Sequence, residues 1–227
     1  MLDLQYSINE EDKIAKIKVK IDYRVDSFWG LFNECNCIES IDFNKYCRRD
    51  KSWFEYMFSK CSSIKELSLS NIYNNKITSF DIFFELSPTI KKITISNFHN
   101  NEMTSVSSIL EECTSLQKVN ISNFFNNKTM SMNKIFSGCT SLQKVDISNF
   151  YNNETMSMDR ISSECTSLQK VDISNFYNNK TMSMDRIFSG CTSLKELNLS
   201  NFKNNKKISM QRVFSDCPND FKINNIS

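Results

Sequence analysis

The sequence predicts an α/β solenoid: a stack of coils with a parallel β-sheet on one face and short helical turns on the other. Three observations carry this prediction. Cys113, Cys139, Cys165, Cys191 and Cys217 stand 26 residues apart, and the same register runs back through Ser87 to Cys61 and Cys35. A fixed period of roughly 20–50 residues marks a stacked repeat protein. Within each period one half alternates apolar and polar residues, whereas the other spaces its apolar residues at i, i+3 and i+4.

In chain order, residues 1–34 read as an N-terminal cap of strand and turn. Ile14, Ile17, Val19 and Ile21 in "KIAKIKVKID" alternate as in a strand, and the interleaved lysines suit an edge that must not pair further. Residues 35–216 hold seven repeats, 35–60, 61–86, 87–112, 113–138, 139–164, 165–190 and 191–216. They form one continuous body, because each repeat can bury its apolar edge only against its neighbours.

Counting each repeat from its cysteine position, the seventh residue is apolar throughout (Ile41, Leu67, Ile93, Val119, Val145, Val171, Leu197). The ninth is too (Phe43, Leu69, Ile95, Ile121, Ile147, Ile173, Leu199), with polar residues between, as in a short half-buried strand. An Asn–Asn pair follows, from Asn74–Asn75 to Asn204–Asn205. It suits a bend, because Asn tolerates left-handed backbone and bonds to nearby backbone groups. Met132, Ile135 and Phe136, and their equivalents Met184, Ile187 and Phe188, then predict one or two helical turns. Residues 217–227 read as a truncated C-terminal cap, where Pro218 suits a terminus.

The stretch "IFSGCTSLQKVDISNFYNN" at 135–153 places Leu142, Val145 and Ile147 at an L-x-x-L-x-L spacing. With "MFSKC" at 57–61 and the recurrent "SNF", it closely resembles BspA-type leucine-rich repeats, often labelled surface proteins or a domain of unknown function. The resemblance implies a leucine-rich repeat solenoid and a cell-surface or secreted protein that adheres to host or matrix proteins. An intracellular scaffold or an enzyme inhibitor is the alternative.

Composition narrows the function further. With 28 Lys and Arg against 26 Asp and Glu, the net charge of +2 supplies no field for nucleic acid or an anionic membrane. The N-terminus lacks the apolar run of a signal peptide and no window approaches a membrane span, so no membrane insertion is expected. Reduced thiols in a cytoplasmic compartment then follow as the default, against the surface location that the resemblance implies. A monomer is expected.

Catalysis finds little support. His99 is the sole histidine, glycine occurs three times, and no H-E-x-x-H, G-x-S-x-G or phosphate-loop string is present. We therefore expect a non-enzymatic protein without cofactor or metal, whose partner is a protein. The cysteine column reads as inward-facing thiols, with inter-coil disulfides or a metal as the other readings. Cys35, Cys37, Cys47 and Cys61 form a C-x-C…C…C set, but no C-x-x-C pair supports zinc. Six glycosylation sequons begin at Asn120, Asn127, Asn153, Asn179, Asn198 and Asn225, and go unused without export.

Two sets of columns are candidate partner-binding residues. Tyr73, Phe125, Tyr151 and Tyr177, with His99 between the first two, recur at the thirteenth position beside a Phe column, Phe124, Phe150 and Phe176. Adjacent residues of a strand point to opposite sides, so one column is inside. The other either covers the bend or stands out as an adhesive ridge. Lys92, Lys118, Lys144 and Lys170 occupy the sixth position, and Asp146 and Asp172 the eighth. These either receive a charged protein partner or keep the face soluble.

Overall fold

The computed structural model describes residues 2–8, 15–21, 28–44, 54–70, 78–99, 102–204 and 206–224. It is a parallel β-solenoid whose coils follow the 26-residue period. Strands Ser40–Asn44, Glu66–Ser70, Lys92–His99, Lys118–Asn126, Lys144–Asp146, Lys170–Asp172, Glu196–Asn198 and Lys222–Asn224 pair in that order, all parallel. Register is strict: Ile41, Leu67, Ile93, Val119, Val145, Val171 and Leu197 lie side by side. A one-residue slip would turn this apolar row out to solvent, so burial of one face specifies the register.

Two further ladders complete each coil. Phe124–Asn126 pairs with Phe150–Asn152, and Tyr177–Asn178 joins the latter to Lys203–Asn204. Met130–Ser131, Met156–Ser157, Met182–Ser183 and Ile208–Ser209 form a four-stranded sheet on another side. Between the first two ladders the chain turns at a left-handed asparagine, Asn97, Asn123, Asn149, Asn175 and Asn201, each with φ of 51–57°. Asparagine visits this region more readily than most residues because its short polar side chain bonds locally. The predicted Asn–Asn bend follows. Asn126, Asn152 and Asn178 are fully buried. In each the side-chain oxygen accepts the N–H two residues on and Nδ2 donates to a carbonyl of the preceding coil.

The short helical turns, and with them the α/β class, are corrected by the structure: the described residues contain no helix. The spacing behind that expectation is a real burial pattern, since Met132, Ile135 and Phe136 are at most 1% exposed. It arises from a different backbone. Lys134 and Gly138 have φ of 56° and 72°, Arg160 and Glu164 56° and 61°, Arg186 and Gly190 55° and 76°. A left-handed residue every fourth position breaks the run of right-handed residues that i→i−4 bonding needs. The amides bond instead to the next coil, Met132 to Ser157, Lys134 to Asp159, Phe136 to Ile161 and Gly138 to Ser163, at 2.7–3.0 Å. The leucine-rich repeat architecture with its helical face gives way to a β-solenoid closed by a hydrogen-bonded turn column.

Inside, every side of the coil contributes a column. Phe124, Phe150, Phe176 and Phe202 stack face to face with centroids 4.8–5.3 Å apart. The cysteine column is buried from Cys61 through Cys191, and the eight described cysteines are free thiols. From Cys61 on, each column thiol donates to the carbonyl 29 residues earlier, as from Cys113 to Phe84 and Cys139 to Leu110, both 3.1 Å. Ser87 makes the same bond to Phe58 at 2.9 Å, which explains why serine replaces cysteine there. Ala15–Ile21, expected in the cap, pairs antiparallel with Leu2–Ile8 in a two-stranded sheet of its own. At the other end Lys222–Asn224 adds a last strand to the main sheet.

Candidate interaction surface

The predicted ring column is an ordered stack. His99, Phe125, Tyr151 and Tyr177 stand on successive coils with centroids 6.0, 5.1 and 4.9 Å apart, and the last two pairs lie within 6° of parallel. Strand alternation positions them: Phe124, Phe150 and Phe176 and the buried asparagines point inward on either side, so the thirteenth residue points out. Phe125, Tyr151 and Tyr177 are half-buried because each ring covers the next, which leaves their edges as a continuous aromatic ridge that carries the tyrosine hydroxyls. Lys203 continues the column in register with Tyr177. Tyr73 lies outside the described residues.

Across the left-handed asparagine corner lies the lysine column. Lys92, Lys118, Lys144 and Lys170 are exposed and paired in register, so neighbouring ammonium groups start from backbones ~4.8 Å apart. Lys170 reaches Glu196 at 3.0 Å, and that bond holds the Glu196 carboxyl below the usual range. Among the described residues Lys92, Lys118 and Lys144 have no carboxylate within salt-bridge distance. Asp146 and Asp172 are not their ion-pair partners. Asp146 Oδ1 accepts the N–H and the hydroxyl of Ser148, and Asp172 accepts from the Ser174 N–H and the Asn198 side chain. These acids cap the strand end, and only the Lys144 charge acts on Asp172, so the four lysines form a cationic stretch flanked in register by Glu66 and Glu196. The corner between the columns carries its own ladder, in which Asn123 donates to Asn97, Asn175 to Asn149 and Asn201 to Asn175.

The described cysteines build no metal or nucleophilic site. Burial pushes the Cys113 and Cys165 thiols up to about 12, far from the thiolate that nucleophiles and metal ligands need. Cys35 and Cys37 approach to 3.2 Å near the surface, and Cys47 lies outside the described residues. Among the described residues no three His, Cys, Asp or Glu side chains converge as metal ligands would.

A second surface, on the turn column, has a sequence signal as regular as the first. Lys134, Arg160, Arg186 and Arg212 recur every 26 residues in "SMNK", "SMDR", "SMDR" and "SMQR". They edge an open groove of about 700 Å³. Its floor is a ladder in which Asp159 accepts the Asp185 N–H at 2.8 Å and the Ser183 hydroxyl. Asp185 in turn accepts the Gln211 N–H and the Ser209 hydroxyl at 2.8 and 2.7 Å.

The sequence pattern of a family described as "Mycoplasma protein of unknown function, DUF285" matches residues 52–170 and again 104–226. The two matches begin two 26-residue periods apart, so the family pattern spans several coils and slides along the array by whole units. No curated protein matches the chain.

Proposed function

Since the chain belongs to the DUF285 family, whose function is unknown, its surface must supply the functional reading, and we propose that it is a non-enzymatic protein–protein interaction module binding through repeated surface columns. The observation that carries this reading is the pairing of a stacked ring ridge, Phe125, Tyr151 and Tyr177, with a lysine column in which, among the described residues, Lys92, Lys118 and Lys144 have no carboxylate within salt-bridge distance. Stacked tyrosines offer large contact area while losing little side-chain freedom, because the stack has already ordered them. The lysines steer and orient a partner of opposite charge. Strict register makes both columns straight and rigid, which suits a surface that meets a protein over several coils.

Within this class the finer reading is adhesion, as in the surface proteins whose repeats these resemble, with an intracellular scaffold or enzyme inhibitor as the alternative. In each case the same columns carry the contact.

The test uses the immobilised full chain to capture proteins from lysates and membrane fractions of its source. Phe125→Ala/Tyr151→Ala/Tyr177→Ala is compared with the unaltered chain, and Ile147→Asp, which buries a carboxylate in the core, serves as the unfolded reference. The ring variant stays folded and recovers at least about tenfold less of a defined partner, because buried aromatic anchors dominate interface energies. A folded ring variant that captures the same proteins in the same amounts overturns the ridge as the binding surface.

A further inference from the structure

We infer that the groove edged by Lys134, Arg160, Arg186 and Arg212 is a second docking site, which takes an extended acidic polypeptide segment. It lies on the turn column, apart from the ring and lysine columns, and stands or falls independently of them.

The chain has six arginines, and its other 22 cations are lysines. Arg24, Arg48 and Arg49 lie outside the described residues, so every described arginine is in this groove. Lysine serves solubility equally well, whereas the planar guanidinium fork binds carboxylates and other oxyanions through two parallel hydrogen bonds. Among the described residues Arg160, Arg186 and Arg212 have no carboxylate within salt-bridge distance, whereas Lys134 reaches Glu111 at 2.9 Å. Three adjacent guanidinium groups therefore share one edge without a direct ion pair, and only the Arg186 charge acts on Asp185, at longer range.

The floor explains why the nearest acids leave them so. Asp159 and Asp185 are each bonded to a hydroxyl and a backbone N–H of the next coil, and these bonds hold the carboxylates down in the ladder. The same bonds hold Asp185 ionised, its pKa lowered first by the Ser209 hydroxyl.

The floor also selects the class of anion. A polymer charged at every unit, such as a nucleic acid or a sulfated glycan, would bring its full charge density against the two aspartates. An acidic peptide presents discrete carboxylates to the arginines and its own N–H groups to the floor. Among the described residues no aromatic side chain lines the groove, so it lacks the stacking platform that single-stranded nucleic acids use. Side chains on one face of an extended peptide are ~6.6–6.8 Å apart and the coils ~4.8 Å, a mismatch that long arginine side chains absorb. The volume falls within the ~300–1,000 Å³ of ordinary binding clefts.

Fluorescence anisotropy of a labelled peptide in which glutamate alternates with serine, so that its discrete carboxylates share one face when extended, titrated with the full chain at physiological salt, tests the inference. Arg160→Gln/Arg186→Gln/Arg212→Gln is set beside Lys91→Gln/Lys180→Gln/Lys195→Gln, which removes the same charge from other columns. Retained circular dichroism verifies the fold of each. The expected result is saturable binding, weakened on the order of tenfold or more by the arginine variant and less than about twofold by the lysine variant. Arg160→Lys/Arg186→Lys/Arg212→Lys falls between, because charge remains while the fork is lost. Absence of binding by the unaltered chain, or equal weakening by the arginine and lysine variants, overturns the inference. So does a single-stranded oligonucleotide or sulfated oligosaccharide that binds the same arginines more tightly than the peptide, since the site is then a general polyanion groove.

Discussion

A buried thiol that donates to a carbonyl one turn of the solenoid back has consequences for pH. Burial raises Cys113 from the ordinary 9.0 to about 12, so the folded chain holds this proton more tightly than the unfolded one. Below pH 9 both states are protonated and stability is complete. Above it the unfolded chain ionises first, and stability is lost as pH rises toward 12. At pH 10 the loss from this one residue is on the order of 1 kcal/mol. We therefore expect the urea midpoint to fall between pH 8 and pH 10, and to fall less in Cys113→Ser, which keeps the bond that Ser87 already makes but does not titrate. An equal fall in both chains would contradict the assignment. The inward thiol column was legible in the sequence because serine, a small donor, replaces cysteine in register. The bond itself was not, since its acceptor is a backbone carbonyl that only the coil geometry brings near.

The turn column shows where periodicity reaches its limit. Apolar residues at i, i+3 and i+4 bury one side of a helix, but they also bury one side of a corner bent by two left-handed residues, and the letters alone do not separate the two. The left-handed positions offer a direct check. Gly138 and Gly190 occupy the position that Glu112 and Glu164 occupy in neighbouring coils, at φ of 72°, 76°, 58° and 61°. A Cβ on Gly138 would meet the Glu112 Cγ at 3.2 Å, tighter than ordinary contact. Gly138→Ala is expected to cost about 1–2 kcal/mol from left-handed strain. Glu164→Gly is expected to stabilise by up to about 1 kcal/mol, because the strain it removes exceeds the chain entropy it adds. Chemical denaturation measures both. In a helical turn the signs would reverse, since glycine weakens a helix interior by roughly 1 kcal/mol relative to alanine.

At the scale of the whole molecule, the 26-residue period decides both core and surface. Ile147 at 1% exposed and Tyr151 at the ridge are four residues apart, yet one belongs to a column that every coil completes for its neighbour and the other to a column that faces out. The parallel sheet, its register and its inward residues were all readable from the recurrence of Leu142, Val145 and Ile147 in each repeat. So was the existence of the ring and lysine columns. Their functional weight was not, because only the coordinates reveal that the rings stack and that Asp146 and Asp172 spend their oxygens on the strand end. The arginines of the groove were equally regular in the sequence, but a charge column read without its floor is indistinguishable from a solvated face.

If this face of the solenoid meets a protein, the ring ridge lies against that protein in the cell. The most direct test is site-specific photo-crosslinking in the source cells, with a benzophenone side chain placed in turn at positions 125, 151 and 177 and, as the control, at exposed Thr166. The three ridge positions are predicted to trap one common protein that Thr166 does not. No adduct from the ridge, or the same adducts from all four positions, would contradict that contact.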